Sequence, residues 1–363
     1  MEELLCRSLA GGVLPEDLAA SDVDAIWELA TRRSVDELLA ALLCRTVDGV
    51  APEVRARAEA RLRTATAREL LREQDLRAIT QALHRASVRT LLIKGAGLAY
   101  TVYDDPRLRP GDDVDLLIGS ADLDAADAAL TGIGFRRQLE PDATLASFQR
   151  HYVRGGDGEV ERCVDLHWRV SNRHVFADAV ECEQAWADSV AIDALGPGAR
   201  TLGLVDALVL ACTHRVGHHP GHGDLLWMWD IHLLASALTP AAGERLQQRA
   251  TSARMAAVVA SGLCVVRERF GTRLDARLID RLRAVSGEPS SRFIDAAGSQ
   301  VDLLRSDLSA AGSLARRLRL LSEHVLPPLA YMRQKYAAWP GALLPLAYVY
   351  RAARGAPRWF RRG

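Results

Sequence analysis

Hydrophobic periodicity divides the chain into a helical stretch, a mixed stretch and a second helical stretch. Over residues 1–87 apolar positions recur at helical spacing. Ser21-Asp22 precedes the periodic run Val23–Ala30 as a cap, and Ser34-Val35-Asp36-Glu37-Leu38 opens another helix with a capping-box pattern. Pro52-Glu53 starts a long helix, rich in Ala, Arg, Leu and Glu, to about Ala86, because Pro suits a first turn. Its Arg-rich face reads as solvated.

Between residues 88 and 199 the period changes. Arg89–Ile93 and Val114–Ile118 are short aliphatic runs that read as strands, the second closed by Gly119-Ser120. Ser120–Leu130 reads as a helix capped by Ser120, and Gly132-Ile133-Gly134-Phe135 leads into a further strand. Asp157-Gly158 marks a hairpin turn before a strand in which Val164, Leu166, Trp168 and Val170 alternate with Asp165, His167 and Arg169. From residue 200 to 363 helical patterns return, including Val205–Cys212 and Trp227–Leu234, with Trp227 and Trp229 expected in the core.

The candidate chemistry sits at the strand ends. Asp113 and Asp115, two apart on a strand, project to one face with a rise of roughly 6.6 Å, while Val114 and Leu116 take the opposite one. Paired carboxylates repel unless a cation lies between them, and carboxylate oxygens with phosphate suit Mg²⁺. Asp165, flanked by His167 and Arg169, is a candidate third ligand or general base. Lys94-Gly95 ends the strand at Ile93 and opens a helix, an arrangement that attracts phosphate. Lys is an unusual choice there: of 46 Lys and Arg residues, only Lys94 and Lys335 are Lys.

Leu92-Ile93-Lys94-Gly95-Ala96, Tyr103-x-Asp105-Pro106, Arg109, Asp113-Val114-Asp115, Gly134-Phe135 and Val164-Asp165-Leu166-His167-Trp168 together resemble the uncharacterised nucleotidyltransferase family of the polymerase-β-like superfamily. The resemblance covers about residues 85–240, reaching Trp227-Met228-Trp229-Asp230. The turn departs from the superfamily's usual Gly-Gly or Gly-Ser. The resemblance implies an α+β nucleotidyltransferase core with a mixed sheet (88–199), flanked by N-terminal (1–87) and C-terminal (200–363) helical domains. It implies that Asp113, Asp115 and Asp165 hold Mg²⁺, or alternatively Mn²⁺, and that Asp165 helps deprotonate an acceptor hydroxyl. Lys94, Gly95, Arg109 and His167 would contact the nucleotide. A nucleoside monophosphate would pass from a triphosphate such as ATP to a hydroxyl or phosphate of a peptide, a small molecule or, less favoured, RNA. A catalytically inactive nucleotide-binding scaffold is the rival reading.

Composition narrows this picture. At 363 residues, 49% hydrophobic and 25% charged, the chain has room for two or three globular domains. A formal net charge of zero does not advertise wholesale nucleic-acid binding. The six dispersed cysteines read as small buried hydrophobes in a reducing compartment, and no signal segment or membrane span is visible, so a cytoplasmic location without stable membrane insertion is expected. His214, His218, His219 and His222 invite a metal-hydrolase reading, but Arg215 stands where a zincin carries Glu. The C-terminal end couples an apolar patch to five Arg. Packing of a terminal helix is expected there, with Pro340, Pro345 and Pro357 interrupting any long amphipathic helix; peripheral membrane contact is the sharper alternative.

Overall fold

Seven strands form one mixed sheet in the order β3-β4-β5-β2-β1-β7-β6. They are β1 (Thr90–Leu92), β2 (Asp113–Ile118), β3 (Arg136–Arg137), β4 (Gln149–Arg154), β5 (Arg162–His167), β6 (Val190–Ala191) and β7 (Arg200–Thr201). The computed structural model describes residues 1–14, 20–45, 50–138, 147–156, 161–217, 225–294, 304–305, 307–309, 313–326 and 329–359. The Asp157-Gly158 turn lies outside these residues. The strands it was expected to join, β4 and β5, pair antiparallel with Tyr152 opposite Val164.

Helices flank the sheet. Before it come α1 (Glu2–Gly11), α2 (Ala20–Arg32), α3 (Asp36–Arg45) and α4 (Pro52–Arg85). Within it lie α5 (Lys94–Ala99), α6 (Leu123–Gly132), α7 (His174–Ala177) and α8 (Cys182–Ala187). After it come α9 (Leu204–Gly217), α10 (Leu225–Ser236), α11 (Pro240–Ser252), α12 (Ala256–Phe270) and α13 (Ala276–Arg283), then α14 (Leu314–Val325), α15 (Leu329–Lys335) and α16 (Leu344–Trp359).

The long helix α4 starts at Pro52 as the sequence predicts, and it stops at Ala86 because Ser87 takes a left-handed backbone, φ 60°. Its first half packs on α3. There Arg61 and Arg68 each reach Glu37, which is fully buried, at 2.6 Å. Its second half lies under the sheet, where Leu76, Ile79 and Leu83 share a core with Leu92, Val114, Leu116, Val164 and Leu166. One helix, which ends before residue 87, therefore packs against both the N-terminal helices and the sheet. The other sheet face, through Leu91, Ile93 and Leu117, joins the larger core of α9, α10 and α12.

Three local expectations differ. Ser120 does not cap a helix: residues Ser120–Asp122 form a 3₁₀ turn and α6 begins at Leu123. The Asp165 strand ends at His167, so the alternation does not continue through Val170. Pro345 falls in the first turn of α16, where a missing N–H costs no intrahelical bond, and Pro357 falls only in its last turn, so a 16-residue helix forms.

Gly97 decides how closely α5 lies on the sheet. Thr201 Oγ donates to the Leu92 carbonyl at 2.7 Å, and a Cβ on Gly97 would sit 2.2 Å from that Oγ and 2.8 Å from the carbonyl oxygen. Gly97→Ala is expected to lower stability by about 1–3 kcal/mol through overpacking, read from denaturant melts. An unchanged midpoint would show that α5 shifts freely.

Candidate functional site

Strands β2 and β5 run parallel with Asp115 opposite Asp165 and Leu117 opposite His167. The period-2 rule then puts Asp113, Asp115, Asp165 and His167 on one face, while Val114, Leu116, Val164 and Leu166 bury on the α4 side. Asp115 is 6% exposed. Its Oδ1 accepts from Lys94 Nζ at 2.6 Å and from His167 Nε2 at 2.8 Å. Its neighbour Asp165 accepts from His151 Nδ1 at 2.5 Å, again through Oδ1. Each carboxylate thus has one oxygen fixed by a cationic or imidazole donor; the other has no hydrogen-bond partner among the described residues.

The electrostatics follow from this geometry. Burial alone would raise Asp115, but the Lys94 ammonium and the His167 hydrogen bond outweigh it and hold the carboxyl well below the usual carboxylate range. Asp113 sits at the open end of the strand. Its setting in the cleft wall and the nearby Asp115 charge push it up, against the opposing pull of Lys94. Lys94 adopts φ 54°, a left-handed conformation that favours glycine. A side chain is retained at this turn at the expense of backbone strain of order 1–3 kcal/mol.

Lys94, Asp113, Asp115 and Asp165 line a cleft of about 680 Å³. Arg61, Arg68 and Glu37 form its N-terminal helical wall, and Leu226, Trp227 and His214 its C-terminal wall. Trp227, expected in the core, instead lines the cleft and meets His214 edge-to-face with ring centroids 4.9 Å apart; Trp229 is buried as expected. His218, His219 and His222 lie outside the described residues.

Gly95 and Arg109 are brought to the cleft, but Arg109 is not left open to a phosphate. Its Nε and Nη2 donate to Asp230 of α10 at 2.8–3.1 Å, and its Nη1 donates to the Pro110 carbonyl at 2.5 Å. Tyr103 donates to the same Asp230 at 2.7 Å. Burial opposes the Arg109 charge, and the Asp230 carboxylate more than offsets it, so its pKa rises further. The guanidinium lies across Gly95, where a Cβ would approach Nη1 to 2.9 Å. His167, expected at the nucleotide, is buried behind Asp115, and its Nδ1 has no hydrogen-bond partner among the described residues.

Sequence reasoning missed His151, Asp230 and Glu37. Asp230 had a visible signal, an acid in the apolar run Leu225–Leu234. Glu37 was read only as part of a cap, and His151 carried no signal without the β4–β5 register.

Asp115, Asp165 and His167 present ligand atoms within 4.8 Å of one another. Two carboxylates with unshared oxygens, and Asp113 in the same cleft, make an oxygen-rich donor set, which suits Mg²⁺ or Mn²⁺ better than a thiophilic ion.

A family profile described as "Uncharacterised nucleotidyltransferase" matches residues 19–271. Among solved structures, the chain is similar to that titled "Crystal structure of JHP933 from Helicobacter pylori", at 15% identity, 62% coverage of this chain, 92% coverage of the other and a TM-score of 0.30. No curated protein matches.

The depressed Asp115 carboxyl has a consequence for acid stability. A group with a lowered folded-state pKa stabilises the fold above its unfolded value of about 3.9, and that contribution is lost as pH falls through and below it. Asp115→Asn is therefore expected to flatten the acid limb below about pH 4 by up to ~1.4 kcal/mol per pH unit, one proton's worth. Chemical denaturation across pH reads this; parallel limbs in both proteins would mean that Asp115 is not held ionised.

Proposed function

Since this chain belongs to the uncharacterised nucleotidyltransferase family, we propose that it transfers a nucleoside monophosphate from a nucleoside triphosphate to a hydroxyl or phosphate acceptor, with Mg²⁺ or Mn²⁺. The observation that carries the reading is the register of Asp115 beside Asp165, each with one oxygen fixed and one open, at the floor of a cleft.

In this reading Asp115 and Asp165 hold the divalent ion and Asp113 joins them from the strand mouth. The ion supplies charge neutralisation for the triphosphate. Lys94 has two tasks: it keeps Asp115 ionised, and it puts a positive charge at the wall that a polyphosphate would meet. The acceptor oxygen attacks the α-phosphorus, the bond from that phosphorus to the bridging oxygen breaks, and pyrophosphate leaves. The acceptor proton passes to the Asp165 carboxylate, which His151 orients. Arg109 acts as a positioning residue: through Asp230 it locks the segment before β2 to α10, and it packs over Gly95. Trp227 and His214 offer an aromatic wall for a nucleobase. The acceptor is a peptide or small molecule in preference to RNA. The three-part organisation, 1–87, 88–199 and 200–363, is kept with α4 shared between the first two parts, so that the cleft lies where all three meet.

The test is incubation with each α-labelled nucleoside triphosphate, Mg²⁺ and a cell extract, followed by label transfer and pyrophosphate release. Transfer that falls by about 10²–10³ in Asp115→Asn is expected. No transfer with any triphosphate, or full activity in Asp115→Asn, would refute the proposal.

His151 gives a second measurement. Loss of a residue that orients a metal ligand lowers metal affinity by about 10–100-fold. His151→Ala should show that loss in Mn²⁺ titrations, and His151→Asn, whose amide nitrogen can donate to Asp165, should recover most of it. Equal affinity in wild type and His151→Ala would remove His151 from the site.

A further inference from the structure

The charge of this chain is unevenly spread. Residues 313–363 carry ten Arg and Lys against one acid, Glu323, although the whole chain is formally neutral. The preceding 312 residues therefore carry a net charge of minus nine.

The same segment also exposes large apolar side chains. Of the thirteen large hydrophobic side chains exposed among the described residues, eight lie between Leu314 and Tyr350. On α16 they are ordered. Leu344 and Ala347 turn inward against Met332 of α15, forming a small core of their own. Leu346, Val349 and Tyr350, with Ala353, stand at i, i+3, i+4 and i+7, and all four are exposed. Arg354 is exposed beside this stripe, and Arg358, Arg361 and Arg362 follow in sequence. On α14, Leu314 and Leu318 repeat the exposed i, i+4 spacing among Arg316, Arg317 and Arg319.

An apolar stripe at helical spacing is normally a helix's buried face. Here it faces outward while the opposite face is already packed. We propose that α14–α16 form a docking surface for an anionic lipid bilayer, with the Leu346, Val349 and Tyr350 stripe in the headgroup–acyl boundary and Arg316, Arg317, Arg319 and Arg354 on acidic headgroups. Two features favour a bilayer over nucleic acid. Leu and Val gain from hydrocarbon and not from phosphate or bases, and the excess of ten basic residues over one acid is complementary to an acidic leaflet. Among the described residues no helix is long and apolar enough to cross a membrane, so α16 lies in the plane of the surface. This inference is independent of the nucleotidyl-transfer reading, since none of these residues lines the cleft.

Cosedimentation of the full chain with sucrose-loaded vesicles tests it. Vesicles of phosphatidylcholine alone are compared with equimolar phosphatidylcholine and phosphatidylglycerol. Partition onto the anionic vesicles should exceed that onto the neutral ones at least tenfold and should weaken as salt rises. The double variant Leu346→Asp, Val349→Asp should lose at least tenfold of that partition with an unchanged thermal melt, because both side chains are exposed. Absence of vesicle binding, equal binding to both compositions, or full binding by the double variant would each overturn the proposal. So would a stripe-dependent dimer in light scattering, or stripe-dependent RNA retention, in protein that ignores vesicles.

Discussion

A carboxylate buried as deeply as Asp115 keeps its charge only if partners supply what water no longer does. Lys94 and His167 are those partners, and with Asp115 they bring together three separate places in the chain: the turn after β1, the middle of β2 and the end of β5. The interaction can form only if β2 lies between β1 and β5 in the observed registers, Leu92 opposite Leu116 and Asp115 opposite Asp165. Removing one partner of a buried pair leaves an uncompensated charge, which costs several kcal/mol. The central strands are therefore held by the same contact that organises the cleft.

A second buried pair sets the walls. Asp230 on α10 receives Arg109 and Tyr103, so the segment leading into β2 is tied to the C-terminal helices. On the opposite wall Glu37 of α3 receives Arg61 and Arg68 of α4. Burial raises the Glu37 carboxyl and the arginines oppose the rise. Both links are charged and short, and each ends on a buried carboxylate, which makes the orientation of the walls specific even where it adds little net stability.

Local pattern made much of the fold legible. The aliphatic runs of β1 and β2, the turn at Lys94 and the 34 residues of α4 follow from period, proline placement and helix propensity. The face shared by Asp113 and Asp115 follows from strand geometry alone. What stayed hidden depends on partners distant in sequence. Arg109 looked available for phosphate because nothing local announces that Asp230, 121 residues on, takes its guanidinium. His151 needs the β4–β5 register before it meets Asp165. Trp227 and Trp229 stand two apart on one helix, and only the packing of α10 decides that one lines the cleft and the other the core. The prolines of α16 were legible as residues but not as helix ends, since their effect depends on which turn they occupy.

In the proposed function the open oxygens of Asp115 and Asp165 hold the divalent ion of a bound nucleoside triphosphate. A crystal structure with Mn²⁺ and a non-hydrolysable α,β-methylene triphosphate addresses it directly. The expected result is an anomalous difference peak between the two carboxylates, with the phosphates on the Lys94 side of the cleft. A nucleotide bound elsewhere with no peak at Asp115 and Asp165, or a peak confined to the His214 end, would contradict it.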